Sequence, residues 1–346
     1  MAMADRITAG IARRMAGLRD RAALWHHSRV IHGPARVTLG DTDCAVVTLM
    51  KDAEWHIGPF ITHHLSRGAR HLVVIDNGSR DATAAIAAGF PQVTVVQNPM
   101  PAKRHESLLR AGIARQVLRG GWVLFADADE MFEAPLLDGA PDALPRLTAY
   151  LARHGYTALV AQMLDLLTDR PYRDTKALDY PASVAAFDRW AMGELTALLY
   201  HAGAANPLDW FLRDNLCDDP GVRLLIGGAR RSLFGEECHL YKHSLLRNRP
   251  GIDLMRHPHC AGRVRVADVT GLLRHYKLAG DWQARDRASV AAGLWDHAED
   301  AKRLAAVTAG DDFTPDLPDA RPYRGTADLI GAGFLYASDR YRAEMG

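Results

Sequence analysis

VLFADADEMF, residues 123–132, joins an apolar run to a pair of carboxylates. The run VLFA is typical of a strand buried on both faces, and Asp127 and Asp129 follow it at positions i and i+2. Such positions point to the same side of an extended backbone, so we expect both carboxylates to reach one ligand. Carboxylate oxygens suit Mn²⁺ or Mg²⁺, which keep open positions for phosphate oxygens. The alternative is a solvated acidic turn.

Short apolar runs alternate with helical segments on the N-terminal side of this stretch. CAVVTL (44–49), HLVVI (71–75), QVTVV (92–96) and WVLFA (122–126) are separated by segments with helical periodicity. This β-α alternation predicts an α/β fold with a mainly parallel central sheet and helices on both faces. Ligands bind beyond the carboxyl ends of the strands in such sheets, and Asp52, Asp76 and Asp127 lie at those ends.

The C-terminal part of the chain has weaker periodicity. YTALVAQML predicts a strand that ends at Asp165, and the proline-containing stretch after it, residues 166–181, is typical of a lid or binding loop. VRLLIGG, HLYKHSLL and VTGLLRHYK predict further strands. Residues 282–308 predict one long closing helix, and residues from 311 onward are punctuated by proline and are expected to wrap the surface.

Several motifs together resemble the GT-A-fold glycosyltransferases of the family-2-like group. The matching pieces in the N-terminal half are MKDAEW (50–55), HHLSRGARHLVVIDNGSRDAT (63–83) and WVLFADADEMF (122–132). GGARRSLFG (227–235), YKHSLL (241–246) and LLRHYK (272–277) resemble the C-terminal half of that group. The resemblance covers about two-thirds of the chain, and the ordered set is more specific than any one piece.

The resemblance implies an enzyme that moves a sugar from a nucleotide-sugar donor, UDP-linked, to an acceptor hydroxyl in surface polysaccharide synthesis. It places Asp127, Asp129 and His275 around Mn²⁺ or Mg²⁺. The residues that it implies at the donor are Lys51, Asp52, Asp76, Asn77, Ser79 and Asp127. One departure leaves base recognition near Asp52 open, because Ala53 stands where relatives commonly carry an acidic residue and Glu54 follows one place later.

The same resemblance organises the chain into four segments. These are an N-terminal basic amphipathic segment (1–40), a nucleotide-sugar-binding half (41–135), an acceptor-side half with a lid and closing helix (136–310), and a C-terminal tail (311–346). An inverting transferase needs a carboxylate that takes the proton of the acceptor hydroxyl. The candidates are Asp165, ranked first because it ends a strand, and Glu236 and Glu237.

Charge and composition restrict the partners. The chain has 42 basic and 41 acidic residues and a net charge of +1, so no global field attracts nucleic acid. The stretch from residue 1 to residue 31 has six arginines against two aspartates, with Ile7, Ile11, Met15 and Leu18 at helical spacing. It predicts a helix that either packs one stripe on the domain or docks on an anionic membrane surface.

No apolar run is long enough for a transmembrane helix, and no secretory leader is recognisable, so we expect a cytoplasmic protein. The four cysteines are scattered without a C-x-x-C pair and are expected to be reduced.

Three rival interpretations remain. A haloacid-dehalogenase-like phosphatase also places D-x-D after a strand, but its motif expects Thr or Val where this chain has Met131. A zinc module is conceivable from residues whose spacing matches no familiar finger: Cys238, His239, His243, His257, His259 and Cys260. A non-catalytic sugar-nucleotide-binding protein of the same fold is the third interpretation, and turnover distinguishes it from an enzyme.

Overall fold

The computed structural model describes residues 2–293 and 299–346, and this part of the chain contains a nine-stranded central sheet. Its strands in chain order are β1 (Arg29–His32), β2 (Cys44–Met50), β3 (His71–Asp76), β4 (Val93–Gln97), β5 (Trp122–Phe125), β6 (Glu130–Glu133), β7 (Ala158–Asp165), β8 (Tyr241–Arg247) and β9 (Val266–His275). Their spatial order is β1-β4-β3-β2-β5-β8-β7-β9-β6.

The sheet is mainly parallel, which confirms the predicted fold class. Strands β4, β3, β2 and β5 pair in parallel, as do β7 and β9. Strand β8 runs antiparallel between β5 and β7, and the edge strands β1 and β6 are also antiparallel to their neighbours. Because β8 lies between β5 and β7, the predicted halves 41–135 and 136–310 share one continuous sheet.

Helices cover both faces of the sheet, as predicted. Successive residues of β2 alternate between two apolar clusters: Cys44 and Val46 belong to one, and Ala45 and Val47 to the other. The helices are Ala2–His27, Glu54–Ser66, Thr83–Ala88, Ala102–Val117, Ala143–Arg153, Tyr172–Thr175, Tyr180–Ala186, Asp209–Leu212, Ala229–Phe234, Trp282–Ala292, Glu299–Ala306, Thr326–Gly331 and Asp339–Met345. No helix in the described ranges is long and apolar enough to cross a membrane.

The described part of the chain also contains four small two-stranded sheets, and the sequence did not predict most of their strands. They pair Val37–Thr38 with Leu118–Arg119, Arg189–Trp190 with Arg321–Pro322, Glu194–Leu199 with Arg223–Gly228, and Asp253–His257 with Cys260–Gly262. Short pairings of this kind depend on contacts between distant parts of the chain, so local periodicity carries little signal for them.

Two predictions about the C-terminal region were wrong. The closing helix is not continuous: it ends at Ala292, where Gly293 adopts a left-handed conformation with φ of 56°, and a second helix begins at Glu299. Residues 294–298 of that prediction lie outside the described residues. The segment 311–346 is not only a surface wrap, because Tyr341 is fully buried and its hydroxyl donates to the Pro135 carbonyl at 2.8 Å.

Arg303 fixes the two C-terminal helices to each other and to the domain. Its guanidinium is fully buried and donates to Glu236 at 2.8 Å and to Asp286 at 2.7 and 3.0 Å, and it also pairs with Asp300. Asp286 lies on the helix Trp282–Ala292, and Arg303 and Asp300 lie on Glu299–Ala306. Three carboxylates therefore share one buried cation, and its removal takes the arginine partner from Asp286 and Asp300 and leaves Glu236 with Arg230 alone.

We expect Arg303→Met to lower the free energy of unfolding by about 3–5 kcal/mol, the cost of breaking a buried ion pair by removing one partner. The matched control is Arg173→Met, because the Arg173 side chain is 55% exposed where it pairs with Asp312. That change should cost less than about 1 kcal/mol, as for other surface pairs. Urea denaturation followed by circular dichroism measures both, and equally small losses would contradict the role assigned to Arg303.

Candidate active site

A cleft of about 280 Å³ lies at the carboxyl ends of β2 and β5. Its walls come from the loop after β2, from the Asp127–Asp129 turn and from the C-terminal helices. The polar residues that line it are Lys51, Asp52, His56, Asp129, Lys277, Arg285, Asp286, Ser289 and Asp300. The cleft thus occupies the edge of the sheet where the sequence predicted ligands.

The loops after β2 and β3 are interlocked at one end of this cleft. The Asp52 N–H donates to Ser79 Oγ at 2.9 Å, and the Arg80 N–H donates to Asp52 Oδ1 at 2.7 Å. Asp52 has a φ of 50°, a left-handed conformation that Asp tolerates better than most residues. Glu54 accepts from the Ala82 N–H at 3.0 Å, so the acidic residue displaced by one place supports the facing turn.

Asp76 and Asn77 are both engaged within the protein. Asp76 is fully buried, and its oxygens accept from the Ser79 N–H at 2.9 Å and from Gln97 Nε2 at 3.2 Å. The Asn77 amide donates to the Asn98 and Met100 carbonyls, each at 2.7 Å. These contacts shape the turn beside the cleft. Recognition of a nucleoside by Asp76, Asn77 and Ser79 stays a prediction.

The sequence predicted that the two carboxylates of the D-x-D triplet project to one side. In the structure they do not. The chain turns at residues 128–129, with the Glu130 N–H donating to the Asp127 carbonyl at 3.0 Å, so the backbone is not extended there. Asp127 pairs with Arg110 and, at 2.5 Å, with Lys242 Nζ. Lys242 also contacts the buried Glu130 at 2.5 Å. The Asp127 carboxylate is therefore paired with two cationic side chains.

Asp129 instead faces His275, as the resemblance implied. Strand β6 pairs with β9 so that Glu130 lies opposite His275, and this register brings Asp129 Oδ2 to 3.4 Å from His275 Nε2. The other ring nitrogen, Nδ1, lies 2.7 Å from Asp165 Oδ1. Burial acts to lower the pKa of His275, but Asp129 and Asp165 together raise it to about 9. A cation that binds at Nε2 must displace this proton.

The candidate bases differ in their surroundings. Asp165 is buried and accepts from Arg230 Nε at 3.0 Å; although burial acts to raise its pKa, Arg230 and His275 lower it to about 2. Glu236 is fully buried between Arg230 and Arg303. Glu237 is 70% exposed and pairs with Arg231. Asp165 is therefore placed to orient His275, and among the three only Glu237 has an exposed carboxylate.

The residues present fit a divalent cation only in part. Asp129 and His275 offer one oxygen and one nitrogen, and Asp165 orients the imidazole in the way that carboxylates support metal-binding histidines. Asp127 does not join them. In residues 2–293 and 299–346, no group of three or more His, Cys, Asp or Glu side chains is arranged to hold a metal, so the predicted three-residue site is not formed. The zinc module is not formed either.

Sequence reasoning missed several basic residues of the site. Asp127 is contacted by Lys242 and Arg110, which lie on other elements of the chain. Lys277 and Arg285 line the cleft beside Asp129. Lys242 and Lys277 lie in the motifs YKHSLL and LLRHYK, which the sequence analysis singled out. The motifs did not predict the roles of these lysines, because the sheet register brings them to the carboxylates.

The family model for glycosyl transferase family 2 matches residues 63–174. This range includes β3, the turn after it, and the Asp127–Asp129 turn. No curated protein matches the chain. The resemblance inferred from the motifs is thus confirmed for this segment.

Three solved structures are similar to part of this chain. S. aureus TarS 1–349 in complex with UDP-GlcNAc is 20% identical, with 36% of this chain and 35% of that chain covered and a TM-score of 0.30. The mannosyltransferase PcManGT from Pyrobaculum calidifontis, with GDP-Man and Mn²⁺, is 18% identical over 48% and 46%, with a TM-score of 0.27.

The third is glucosyl-3-phosphoglycerate synthase from Mycobacterium tuberculosis, with Mn²⁺, UDP and glucosyl-3-phosphoglycerate. It is 24% identical over 38% of this chain and 48% of that chain, with a TM-score of 0.25. This chain spans less than half of the length of each of these proteins. Residues 63–174 are the part of this chain that is similar to glycosyl transferase family 2.

Proposed function

We propose that this protein is a metal-dependent glycosyltransferase that moves a sugar from a nucleotide-sugar donor to an acceptor hydroxyl. The observation that carries the proposal is the pairing of Asp129 with His275 at the edge of the cleft, within 3.4 Å of each other. The family match over residues 63–174 supports the same reaction class. A UDP-linked donor and a place in surface polysaccharide synthesis are proposals that follow from the resemblance.

The charge of the cleft suits a diphosphate. The Lys277 side chain lines it, and its ammonium group makes no hydrogen bond or ion pair with any residue in the described ranges. Arg285 donates only to backbone carbonyls, those of Lys277 at 3.2 Å and Ala279 at 2.8 Å, within the same ranges. Both cations are therefore available to an anionic ligand next to Asp129. Fixed positive groups of this kind stabilise the charge that develops on a leaving diphosphate.

Asp129 and His275 are the residues that would hold Mn²⁺ or Mg²⁺. When bound, such a cation neutralises charge on a departing nucleoside diphosphate. Asp165 holds the His275 ring through Nδ1, which leaves Nε2 directed at Asp129. An inverting outcome requires a base near the acceptor. We propose Glu237, because its carboxylate is the exposed one among the candidates.

The rival functions are less well supported. A phosphatase of the haloacid-dehalogenase type uses the first carboxylate of D-x-D as a nucleophile, whereas Asp127 is held by Arg110 and Lys242. A non-catalytic sugar-nucleotide-binding protein would present the same donor cleft. Donor hydrolysis or transfer in the presence of Mn²⁺ separates it from an enzyme.

We expect Asp129→Asn to weaken Mn²⁺-dependent binding of UDP by at least about tenfold, the loss caused by removal of even an indirect support of a metal site. His275→Ala should do the same, because it removes the nitrogen that faces Asp129. Isothermal titration calorimetry with UDP, with and without Mn²⁺, gives the affinities. Asp319→Asn is the control, since Asp319 is exposed and does not line the cleft.

If Mn²⁺ strengthened UDP binding equally in the Asp129→Asn variant and in the unchanged protein, the metal assignment would be wrong. Thermal unfolding of each variant shows whether a loss of affinity reflects loss of the fold.

We further propose that the N-terminal helix docks on an anionic membrane. Met15, Leu18 and Trp25 follow helical spacing and are 51%, 64% and 63% exposed. The opposite side of the helix carries Leu24, which is buried against the domain, with its carbonyl accepting from Ser28 Oγ at 2.7 Å. The face that carries Leu24 thus anchors the helix to the domain. The apolar stripe of Met15, Leu18 and Trp25 stays exposed to solvent.

Basic residues flank this stripe. Arg19 and Arg21 are exposed on the helix, Arg29 is exposed just after it, and none of the three pairs with a carboxylate in the described ranges. A helix with an apolar stripe between arginines is suited to the interface of an anionic bilayer, where apolar burial and charge attraction act together.

We expect the protein to sediment with vesicles of phosphatidylglycerol and phosphatidylcholine in equal parts, and much less with phosphatidylcholine alone. The double change Leu18→Ser and Trp25→Ser should abolish sedimentation, because it removes the apolar stripe. Trp210→Ser is the matched control, since Trp210 is 65% exposed elsewhere on the surface. Equal binding to both kinds of vesicle, or no effect of the double change, would refute the membrane role.

A further inference from the structure

Four partly exposed rings form a chain of contacts outside the cleft. Phe211 contacts His257 with ring centroids 5.0 Å apart, His257 contacts His259 at 5.8 Å, and His259 contacts His239 at 6.0 Å. All four side chains are intermediate in exposure. We call these four residues the aromatic row. The mechanism proposed above uses none of them.

The topology places one end of the aromatic row beside the candidate site. His239 precedes Leu240, whose carbonyl accepts from the Met163 N–H at 2.5 Å, near the carboxyl end of β7. His259 Nδ1 lies 2.8 Å from the carbonyl of Tyr241, and the next residue, Lys242, holds Asp127. The row therefore begins between the carboxyl ends of β5 and β7.

This position lies away from the donor loops. Those loops follow β2 and β3, whereas the row starts at β8, on the other side of β5 in the strand order. The exposed carboxylate of Glu237 is two residues from His239. A ligand on the row would thus approach the cleft from the side opposite the nucleotide.

The rings offer flat apolar faces and unused polar atoms. His239 Nδ1 is buried without a hydrogen-bond partner among the described residues. Burial lowers the pKa of His239, lowers that of His257 to about 4, and lowers that of His259 well below its usual value. The three imidazoles are neutral near pH 7, so each has one nitrogen that donates and one that accepts.

The neighbouring cations are already paired. Lys242 contacts Asp127 and Glu130, and Arg256 pairs with Asp214 at 3.0 Å and with Asp253 at 3.3 Å. Among the residues that the structure describes, the row therefore offers aromatic faces and neutral hydrogen-bonding groups, and the cations next to it, Lys242 and Arg256, are paired. This combination favours an uncharged ligand with hydroxyl groups and apolar C–H faces over an anionic ligand.

We propose that the aromatic row is the binding site for an uncharged saccharide that serves as the acceptor. The assignment as acceptor rests on the proposed glycosyltransferase function, whereas saccharide binding itself does not. The rings stack against C–H faces of the sugar, and the imidazole nitrogens bind its hydroxyls.

The test is a titration of the full chain with cellopentaose, maltopentaose and chitopentaose, and with pentagalacturonic acid as an anionic probe. Long-range ¹H–¹⁵N spectra report the histidine ring nitrogens. At least one neutral probe should shift the signals of His239, His257 and His259 and leave His26, on the N-terminal helix, unchanged.

Variants show whether the ring faces carry the binding. His257→Ala should weaken the affinity for the neutral probe roughly fivefold, as expected for loss of one aromatic contact. His257→Phe should retain most of that affinity. His239→Ala is a second test, because His239 makes no hydrogen bond to a described residue and its loss leaves no partner unsatisfied. His26→Ala is the matched control.

The proposal fails if no neutral probe shifts these rings, if pentagalacturonic acid binds as well as the neutral probes, or if His257→Ala and His239→Ala both bind them unchanged. UDP binding with Mn²⁺, measured on the same samples, separates the two proposals. If the protein binds UDP but no saccharide, the proposal that the aromatic row binds a saccharide is wrong and the proposed transferase function stands. If the protein binds a saccharide but not UDP, the aromatic row stands as a saccharide site and the proposed transferase function is wrong.

Discussion

His275 stands between Asp129 and Asp165, and the arrangement of the candidate site depends on this buried contact. The imidazole approaches one carboxylate through each ring nitrogen, at 3.4 Å and 2.7 Å. Two negative charges around one ring hold its proton and keep the pKa near 9. The contact exists because the chain turns after β5 and returns as the edge strand β6, which pairs with β9 in the register that sets Glu130 opposite His275.

A line of buried ion pairs extends from this contact to the wall of the cleft. Asp165 binds Arg230, Arg230 binds Glu236, and Glu236 binds Arg303. Arg303 in turn fixes Asp286 on the neighbouring helix. Charges buried in this way are stable only while each has its counterion, so the position of the C-terminal helices is coupled to the geometry at His275.

The two sides of Asp127 divide the carboxyl edge of the sheet by chemistry. On the side of β2 and β3 the cleft holds Lys277 and Arg285, whose side chains form no ion pair with a carboxylate in residues 2–293 and 299–346, and this suits phosphate groups. On the side of β8 the cations are neutralised and the surface is formed by neutral rings. Asp127 itself, held by Arg110 and Lys242, separates the two regions and braces the turn that carries Asp129. The proposed donor and acceptor therefore meet different surfaces of one site.

Local sequence determined the α/β class, the strands β2, β3, β4, β5 and β7, the turn after β3, and the candidacy of Asp129 and His275. Apolar runs and helical spacing act over a few residues, so they are legible in the sequence. The tertiary structure alone decided that Asp127 pairs with Arg110 and Lys242, that Asp165 orients His275, and that Lys277 and Arg285 line the cleft. Each of these depends on strand register and on ion pairs between residues distant in the chain, which no local pattern specifies.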